Sequence, residues 1–185
     1  MWYANARHWH DDDENHNVSI LILGGSGGTG SLGIQLSKHF GADEIITTTS
    51  AANANYVMNL GATRVIDYHI ENWYEVLEDY SIDVIYDCVG QSGTADHAMR
   101  KLGKNGFFVT IAGALSDNTT RTDVKQSFFI NSDTNLVGSS TLLEEISSLN
   151  LSVGRIFAQY PLSELDQAFN LSRQGHVVGK ISIAV

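Results

Sequence analysis

The chain has 185 residues, 43% apolar and 17% charged, with 17 glycines and a single proline; this is the profile of one globular domain and excludes a disordered or collagenous chain. Acidic residues outnumber basic ones 21 to 11, for a formal charge of -10. No Lys/Arg cluster offers a footprint for a phosphate backbone, so no nucleic-acid partner is expected. A dinucleotide remains compatible with the charge, because backbone amides and a helix N-terminus can supply the local positive potential.

Cys88 is the lone cysteine, which rules out an intrachain disulfide and the Cys-rich zinc sites. The polar, acidic N-terminus lacks the order of a secretory signal, and no apolar run approaches a membrane span. No membrane partner and a cytoplasmic location are expected, with an organelle left open. Residues 1–17 read as a linker or helix remnant. Within them His8, His10 and His16 flank Asp11–Glu14, but without regular ligand spacing the segment reads as solvated chain, and no metal site is assigned.

From residue 18 on, β-branched runs alternate with helical spacing, the pattern of repeated βαβ units on a parallel sheet. Residues 18–23 form the first expected strand. Leu32, Leu36 and Phe40, four apart, make the apolar stripe of a helix stopped by Gly41. A second strand is expected at 44–48, then a helix carrying Ala54, Val57 and Leu60 before Gly61, and a third strand at 63–66. Trp73, Val76, Leu77 and Tyr80 mark a further helix. A fourth strand at 82–86, a helix over 95–102 and a fifth strand at 107–111 follow. The polar residues 113–134 read as a long loop, 136–138 as a sixth strand, 141–149 and 163–173 as helices with Ile156 and Phe157 between them, and 177–185 as a closing strand. The fold class is α/β: a Rossmann doubly wound parallel sheet of about six strands with helices on both faces.

The first strand runs into Gly24-Gly25-Ser26-Gly27-Gly28-Thr29-Gly30, which holds G-x-G-x-x-G at Gly25, Gly27 and Gly30. That spacing is weak alone. Its setting between a buried strand and an amphipathic helix, inside a complete βαβ unit, is what a dinucleotide turn requires. Gly25 permits the turn, Gly27 admits a pyrophosphate to the backbone, and Gly30 lets helix and strand pack closely. Ser26 and the amides around Gly28 and Thr29 complete the expected phosphate cradle. A plain strand-to-helix turn and an S-adenosylmethionine turn are the competing readings. A P-loop is excluded because no glycine is followed by Lys and then Ser or Thr.

The end of the second strand, Thr47-Thr48-Thr49-Ser50, carries no carboxylate to accept from a ribose 2′-hydroxyl, which favours NADP over NAD. Thr49, Ser50 and Asn53 become candidate donors to a 2′-phosphate, although Ser50 is also a plausible helix cap. Cys88 has neither a paired His nor a basic neighbour in sequence and reads as packing rather than a nucleophile. No Tyr-x-x-x-Lys pair exists, which rejects the short-chain reductases.

Leu21 to Gly30, Gly41-Ala42, Leu60-Gly61-Ala62, Val65 to Tyr68 and Asp83 to Gly90, in that order, resemble the cofactor domain of medium-chain dehydrogenases/reductases of the zinc-independent quinone oxidoreductase and enoyl reductase branch. Tyr160 to Phe169 and Gly175 to Ile181 are similar to that family's closing segment, so the likeness covers nearly all of 18–185. The resemblance implies an NADPH-dependent reductase passing hydride to a quinone, enone or similar small-molecule acceptor, and no zinc. It matches Ser50 and Tyr68 to residues that hold a 2′-phosphate, with Asn53 where the family commonly has Lys. It also places Cys88, Val89 and Gly90, and Ile111, Ala112 and Gly113, in the loops flanking the nicotinamide; the catalytic residues stay unassigned. Homodimerisation through the sheet edge near Leu136–Ser139 is implied too. Family members begin with a GroES-like substrate domain, which is expected to be missing here. The strand in 175–185, normally paired with that domain, is then expected to be exposed or rearranged. The alternative is a non-catalytic dinucleotide-binding module that needs a partner domain.

Overall fold

In the computed structural model, residues 17–117, 120–129, 147–149, 151–152 and 155–185 are described. Strand β1 (Ser19–Leu23) is buried along its whole length, as a central parallel strand covered on both faces must be. Around it stand β2 (Glu44–Thr49), β3 (Arg64–Asp67), β4 (Ile82–Asp87), β5 (Leu102–Thr110) and β6 (Lys125–Phe128), in the order β3-β2-β1-β4-β5-β6. Every pairing is parallel. This is the doubly wound order whose reversal point, between β1 and β4, opens a crevice at the carboxyl ends of the strands.

Side chains alternate across β1 and so feed two cores. Ile20 and Ile22 join Ile34, Ile45, Val57 and Val84 on one face, under α1 (Gly30–His39) and α2 (Ala54–Leu60). Leu21 and Leu23 join Ile46, Ile66, Trp73, Leu77, Ile85, Met99 and Phe108 on the other, with α3 (Trp73–Val76) and α4 (Thr94–Lys101).

Several expectations are corrected. The buried face of α1 is Gly30, Ser31, Gly33, Ile34 and Ser37; Leu32, Leu36 and Phe40 are only half-buried. Small residues win because they let the helix sit close to the sheet: a methyl on Gly33 would already be 3.4 Å from the Tyr86 ring. Tyr80 is not on a helix. Leu77 is already extended at the end of α3, and Tyr80 adopts φ +61° with its amide donating to the Arg100 carbonyl. Strand β5 starts at Leu102, five residues before its expected start, and ends before Ile111, whose amide donates to the Asp87 carbonyl. The expected loop at 113–134 contains β6, a short polar strand whose backbone pairs with Phe107–Thr110. The expected strand at 136–138, the dimer edge at Leu136–Ser139, most of the helix at 141–149 and the His/Asp-rich segment before Asn17 lie outside the described residues.

The C-terminal part forms its own βαβ unit. Strands β7 (Ile156–Pro161) and β8 (Lys180–Ala184) pair in parallel around α5 (Leu165–Gln174). The closing strand is thus paired with its own neighbour, and its entry is docked on the glycine turn, where the Gly179 amide donates to the Ser26 carbonyl at 3.0 Å.

Candidate cofactor site

The glycine turn is built by close approach. A methyl on Gly25 would lie 2.0 Å from Thr47 Oγ1 and 2.9 Å from Ile34 Cδ1, and one on Gly30 would lie 2.3 Å from the Gly24 carbonyl oxygen. Gly27 differs, since its methyl would meet only the Gly24 oxygen, at 3.3 Å. The amides of Gly28, Thr29 and Gly30 take no acceptor among the described residues, leaving donors at the start of α1 for an anion. Lys180 lies over this turn: a methyl on Gly28 would be 2.8 Å from its Cγ and 2.9 Å from its Nζ. Sequence reasoning missed Lys180, because only the fold brings the last strand onto the first loop.

The threonine run at the end of β2 holds the turn in place. Thr47 donates to the Ile22 carbonyl at 2.7 Å, Thr48 Oγ1 accepts from the Gly24 amide at 2.9 Å, and Thr49 donates to Ser26 Oγ at 2.9 Å. Thr49 is buried and its hydroxyl is engaged there, so its contact with the cleft runs through Ser26. Beyond it, a cavity of ≈ 570 Å³ is lined by Ser26, Ser50, Asn53, Tyr68 and their neighbours. Asn53 Nδ2 donates to Ser50 Oγ at 3.1 Å. Ser50 makes no side-chain cap bond. The fold also brings in Asp67 from the end of β3 and His69 and His176, three residues not singled out in the sequence. Asp67 sits one strand away from the position inspected for a carboxylate, and His176 is 108 residues from Tyr68, whose hydroxyl it meets at 3.3 Å.

At the other end of the crevice, Asp87 and Thr110 lock two loops together. Asp87 is fully buried; its Oδ1 accepts from the amides of Val89 and Gly90, both at 2.9 Å, and its Oδ2 accepts from the Thr110 hydroxyl at 3.0 Å. Thr110 Oγ1 in turn accepts from the amides of Ala112 and Gly113 at 3.2 and 2.8 Å. Gly90, at φ +74°, faces Ala112 so closely that a methyl would lie 2.5 Å from the Ala112 carbonyl oxygen. The Val89 side chain leans over Gly24 and is 56% exposed. The predicted residues Val89, Gly90, Ile111, Ala112 and Gly113 therefore stand together, on a frame set by Asp87 and Thr110.

Cys88 is half-buried beneath them. Burial pushes its thiol up to about 12, and nearby Asp87 adds to this while the Tyr86 hydrogen bond opposes it. Such a thiol is protonated near neutral pH and is no nucleophile.

A parallel sheet ordered 3-2-1-4-5-6, with a glycine turn opening its first helix, defines the dinucleotide-binding Rossmann class. Residues 28–151 match the family described as zinc-binding dehydrogenase, and the chain belongs to it, as an NAD(P)-binding domain of the medium-chain dehydrogenase/reductase superfamily. It is 41% identical over 99 residues to 2-methylene-furan-3-one reductase of Solanum lycopersicum, covering 53% of this chain and 24% of that protein. It is 31% identical over 166 residues to the chloroplastic NADPH-dependent alkenal/one oxidoreductase of Arabidopsis thaliana, covering 89% and 40%. The quinone oxidoreductase of Coxiella burnetii superposes with a TM-score of 0.74 at 26% identity, over 97% of this chain and 57% of that one. The chain thus spans less than half the length of these two curated relatives. Among the described residues, no group of three or more His, Cys, Asp or Glu could hold a metal ion, and no helix is long and apolar enough to cross a membrane.

Proposed function

We propose that this chain binds NADPH along the carboxyl edge of its sheet and forms the cofactor half of a zinc-independent reductase for quinones, enones or similar electron-poor acceptors. The observation carrying this reading is that Ser26, in the middle of the glycine turn whose Gly28, Thr29 and Gly30 amides take no acceptor among the described residues, also lines the cavity with Ser50, Asn53 and Tyr68. The residues fit the cofactor. The amides of Gly28, Thr29 and Gly30 and the Lys180 ammonium would hold the pyrophosphate, and Ser50, Asn53 and Tyr68 would face the adenosine ribose with its 2′-phosphate. Ser26 accepts from Thr49 and keeps its own proton to donate. Val89, Ile111 and Ala112 would pack against the nicotinamide, on loops that Asp87 and Thr110 keep in register.

When bound, the cofactor supplies hydride chemistry, and the protein contributes position, orientation and exclusion of water. The names of the relatives support the class of acceptor, one being an NADPH-dependent alkenal/one oxidoreductase. A cytoplasmic or organellar location belongs to the same proposal. So does a homodimer joined at the sheet edge near Leu136–Ser139, supported by β6 being the outermost of the described strands on that side and by Phe128 and Phe129, both about half-exposed. Fluorescence titration is the direct test: NADPH is expected to bind more tightly than NADH, with affinity unchanged by a zinc chelator. Equal or tighter binding of NADH would remove the assignment of Ser50, Asn53 and Tyr68.

A further inference from the structure

Strand β6 is polar and stands outermost among the described strands on its side of the sheet. One of its side chains has a defined task. Gln126 is in register with Phe108, so its side chain lies on the face of the sheet that carries the core under α4. There its Oε1 accepts from the Ser116 amide at 2.9 Å and its Nε2 donates to the Ser116 carbonyl at 2.7 Å. The side chain thus does for Ser116 what a neighbouring strand would do. A carboxamide offers a donor and an acceptor side by side, whereas a carboxylate has acceptors only and an ammonium donors only. Ser116 is held from a second element as well, because its hydroxyl donates to Asp96 Oδ1 on α4 at 2.5 Å. The residue is buried.

Ser116 closes the segment that leaves β5. At the other end of that segment Thr110 Oγ1 accepts from the amides of Ala112 and Gly113. Between these two fastenings Ala114 and Leu115 make no hydrogen bond among the described residues, and Ala112, Ala114 and Leu115 are exposed. An exposed apolar stretch without bonds of its own keeps one shape only if both of its ends are held, since fixing each residue's backbone costs about 1–2 kcal/mol of entropy. Asp87 and Thr110 hold the near end, and Gln126 and Asp96 hold the far one. Asp96 stands on the first turn of α4, the helix into which the Val89–Gly90 loop leads. The second loop beside the cleft is thereby tied to the element that follows the first.

Resting on the reading that these loops flank the nicotinamide, we propose that Gln126 and Asp96 are positioning residues for the nicotinamide end of the cofactor. Acting through Ser116, they fix the far end of the 111–116 segment, so that Ile111 and Ala112 meet the ring already ordered. A loop that must be ordered at the moment of binding subtracts from affinity, and preorganisation removes that cost. The adenosine end is held at the glycine turn and the cavity after β2, away from this anchor. The two ends of the cofactor should therefore respond differently to its loss.

The experiment compares NADPH with 2′,5′-ADP, which keeps the phosphorylated adenosine end and lacks the nicotinamide riboside, on the 185-residue chain and on three variants of it. Gln126→Ala should weaken NADPH about tenfold, the order expected for two lost hydrogen bonds, and leave 2′,5′-ADP unchanged. Asp96→Ala, a change at an exposed position, should weaken NADPH several-fold with the same selectivity. Asp96→Asn keeps an acceptor for the Ser116 hydroxyl and should return NADPH affinity to within about twofold of wild type, a rescue that a general loss of stability would not produce. Equal loss of both ligands, no loss of either, or an Asp96→Asn variant as weak as Asp96→Ala overturns the proposal. If Gln126→Ala does not fold, the two Asp96 variants decide alone by the same criteria. Wild-type binding of 2′,5′-ADP with no gain for NADPH removes the nicotinamide from these loops, and the proposal with it. Failure of the wild-type chain to bind either ligand overturns the cofactor site itself.

Discussion

A methyl group on Gly25 would overlap Thr47 Oγ1 at 2.0 Å, whereas the same group on Gly27 meets nothing closer than 3.3 Å. Two glycines of one motif are therefore held for different reasons, and a substitution should separate them. Gly25→Ala is expected to cost about 1–3 kcal/mol of stability, the usual range for overpacking a tight interior, read as a lower denaturant midpoint. Gly27→Ala should leave that midpoint within about 0.5 kcal/mol, as surface changes do, while weakening both NADPH and NADH. Lost stability without lost binding at position 27 would mean that the turn does not face the cofactor. The motif's setting already divides these glycines in the sequence, Gly25 and Gly30 to the turn and its packing and Gly27 to a ligand, but it does not show the atoms that crowd them, Thr47 Oγ1, Ile34 Cδ1 and the Gly24 carbonyl oxygen. The threonines show the same limit. Thr49 looks like a phosphate donor until its hydroxyl is found bonded to Ser26, in a run whose Thr47 and Thr48 hydroxyls are bonded to β1 and the turn.

Elements with one strong pattern were legible, and those governed by their neighbours were not. β1 and β2 are mostly Ile, Leu and Thr and read as buried strands, and β4 places Ile82, Val84 and Ile85 among its buried positions. The α1 stripe was misjudged because periodicity weighs size and hydrophobicity, while close packing on a sheet selects Gly33 and Ser37. β6 was missed because Lys125-Gln126-Ser127-Phe128 is polar and acquires its strand form from β5. The turn after α3 was missed for a similar reason: it is closed by tertiary bonds. Lys101, at the end of α4, is nearly buried and donates to the Leu77 carbonyl at 2.7 Å and to Asp79 at 2.5 Å. Arg100 reaches the same carboxylate at 3.2 Å. The Lys101 and Arg100 hydrogen bonds hold Asp79 below the usual carboxylate range. A depressed folded-state value contributes stability that is present above the unfolded value, near pH 4, and lost as pH falls through the folded one. Asp79→Asn should therefore lower the urea midpoint at pH 6–7 and match wild type near pH 2; a constant difference across that range would assign the effect to something other than this charge.

At the scale of the molecule, the proposed cofactor cleft has the described loops after β4 and β5 as one wall. Val89 is 56% exposed and Ala112 is exposed beside it, so the place assigned to the nicotinamide opens to solvent on the side away from the sheet. A second open surface adjoins the C-terminal unit, where a cavity of ≈ 450 Å³ is lined by Leu165, Phe169, Val177, Ile181 and their neighbours. Holding an acceptor carbon against the nicotinamide with water kept out can supply about 7–11 kcal/mol of the barrier, and that help needs walls on both sides. Losing even half of it would slow hydride transfer by roughly several hundredfold to ten-thousandfold. The 185-residue chain is therefore expected to bind NADPH yet to reduce quinones and enones slowly or not at all. The decisive comparison pairs NADPH oxidation over a panel of such acceptors with cofactor affinity on the same protein sample. Its counterpart is the chain joined to the N-terminal portion of a relative such as the alkenal/one oxidoreductase. Strong binding with turnover appearing only in the joined protein is the expected result. Rapid turnover by the 185-residue chain would show that it completes its own acceptor site, with a second copy meeting it across the sheet edge as the next surface to test.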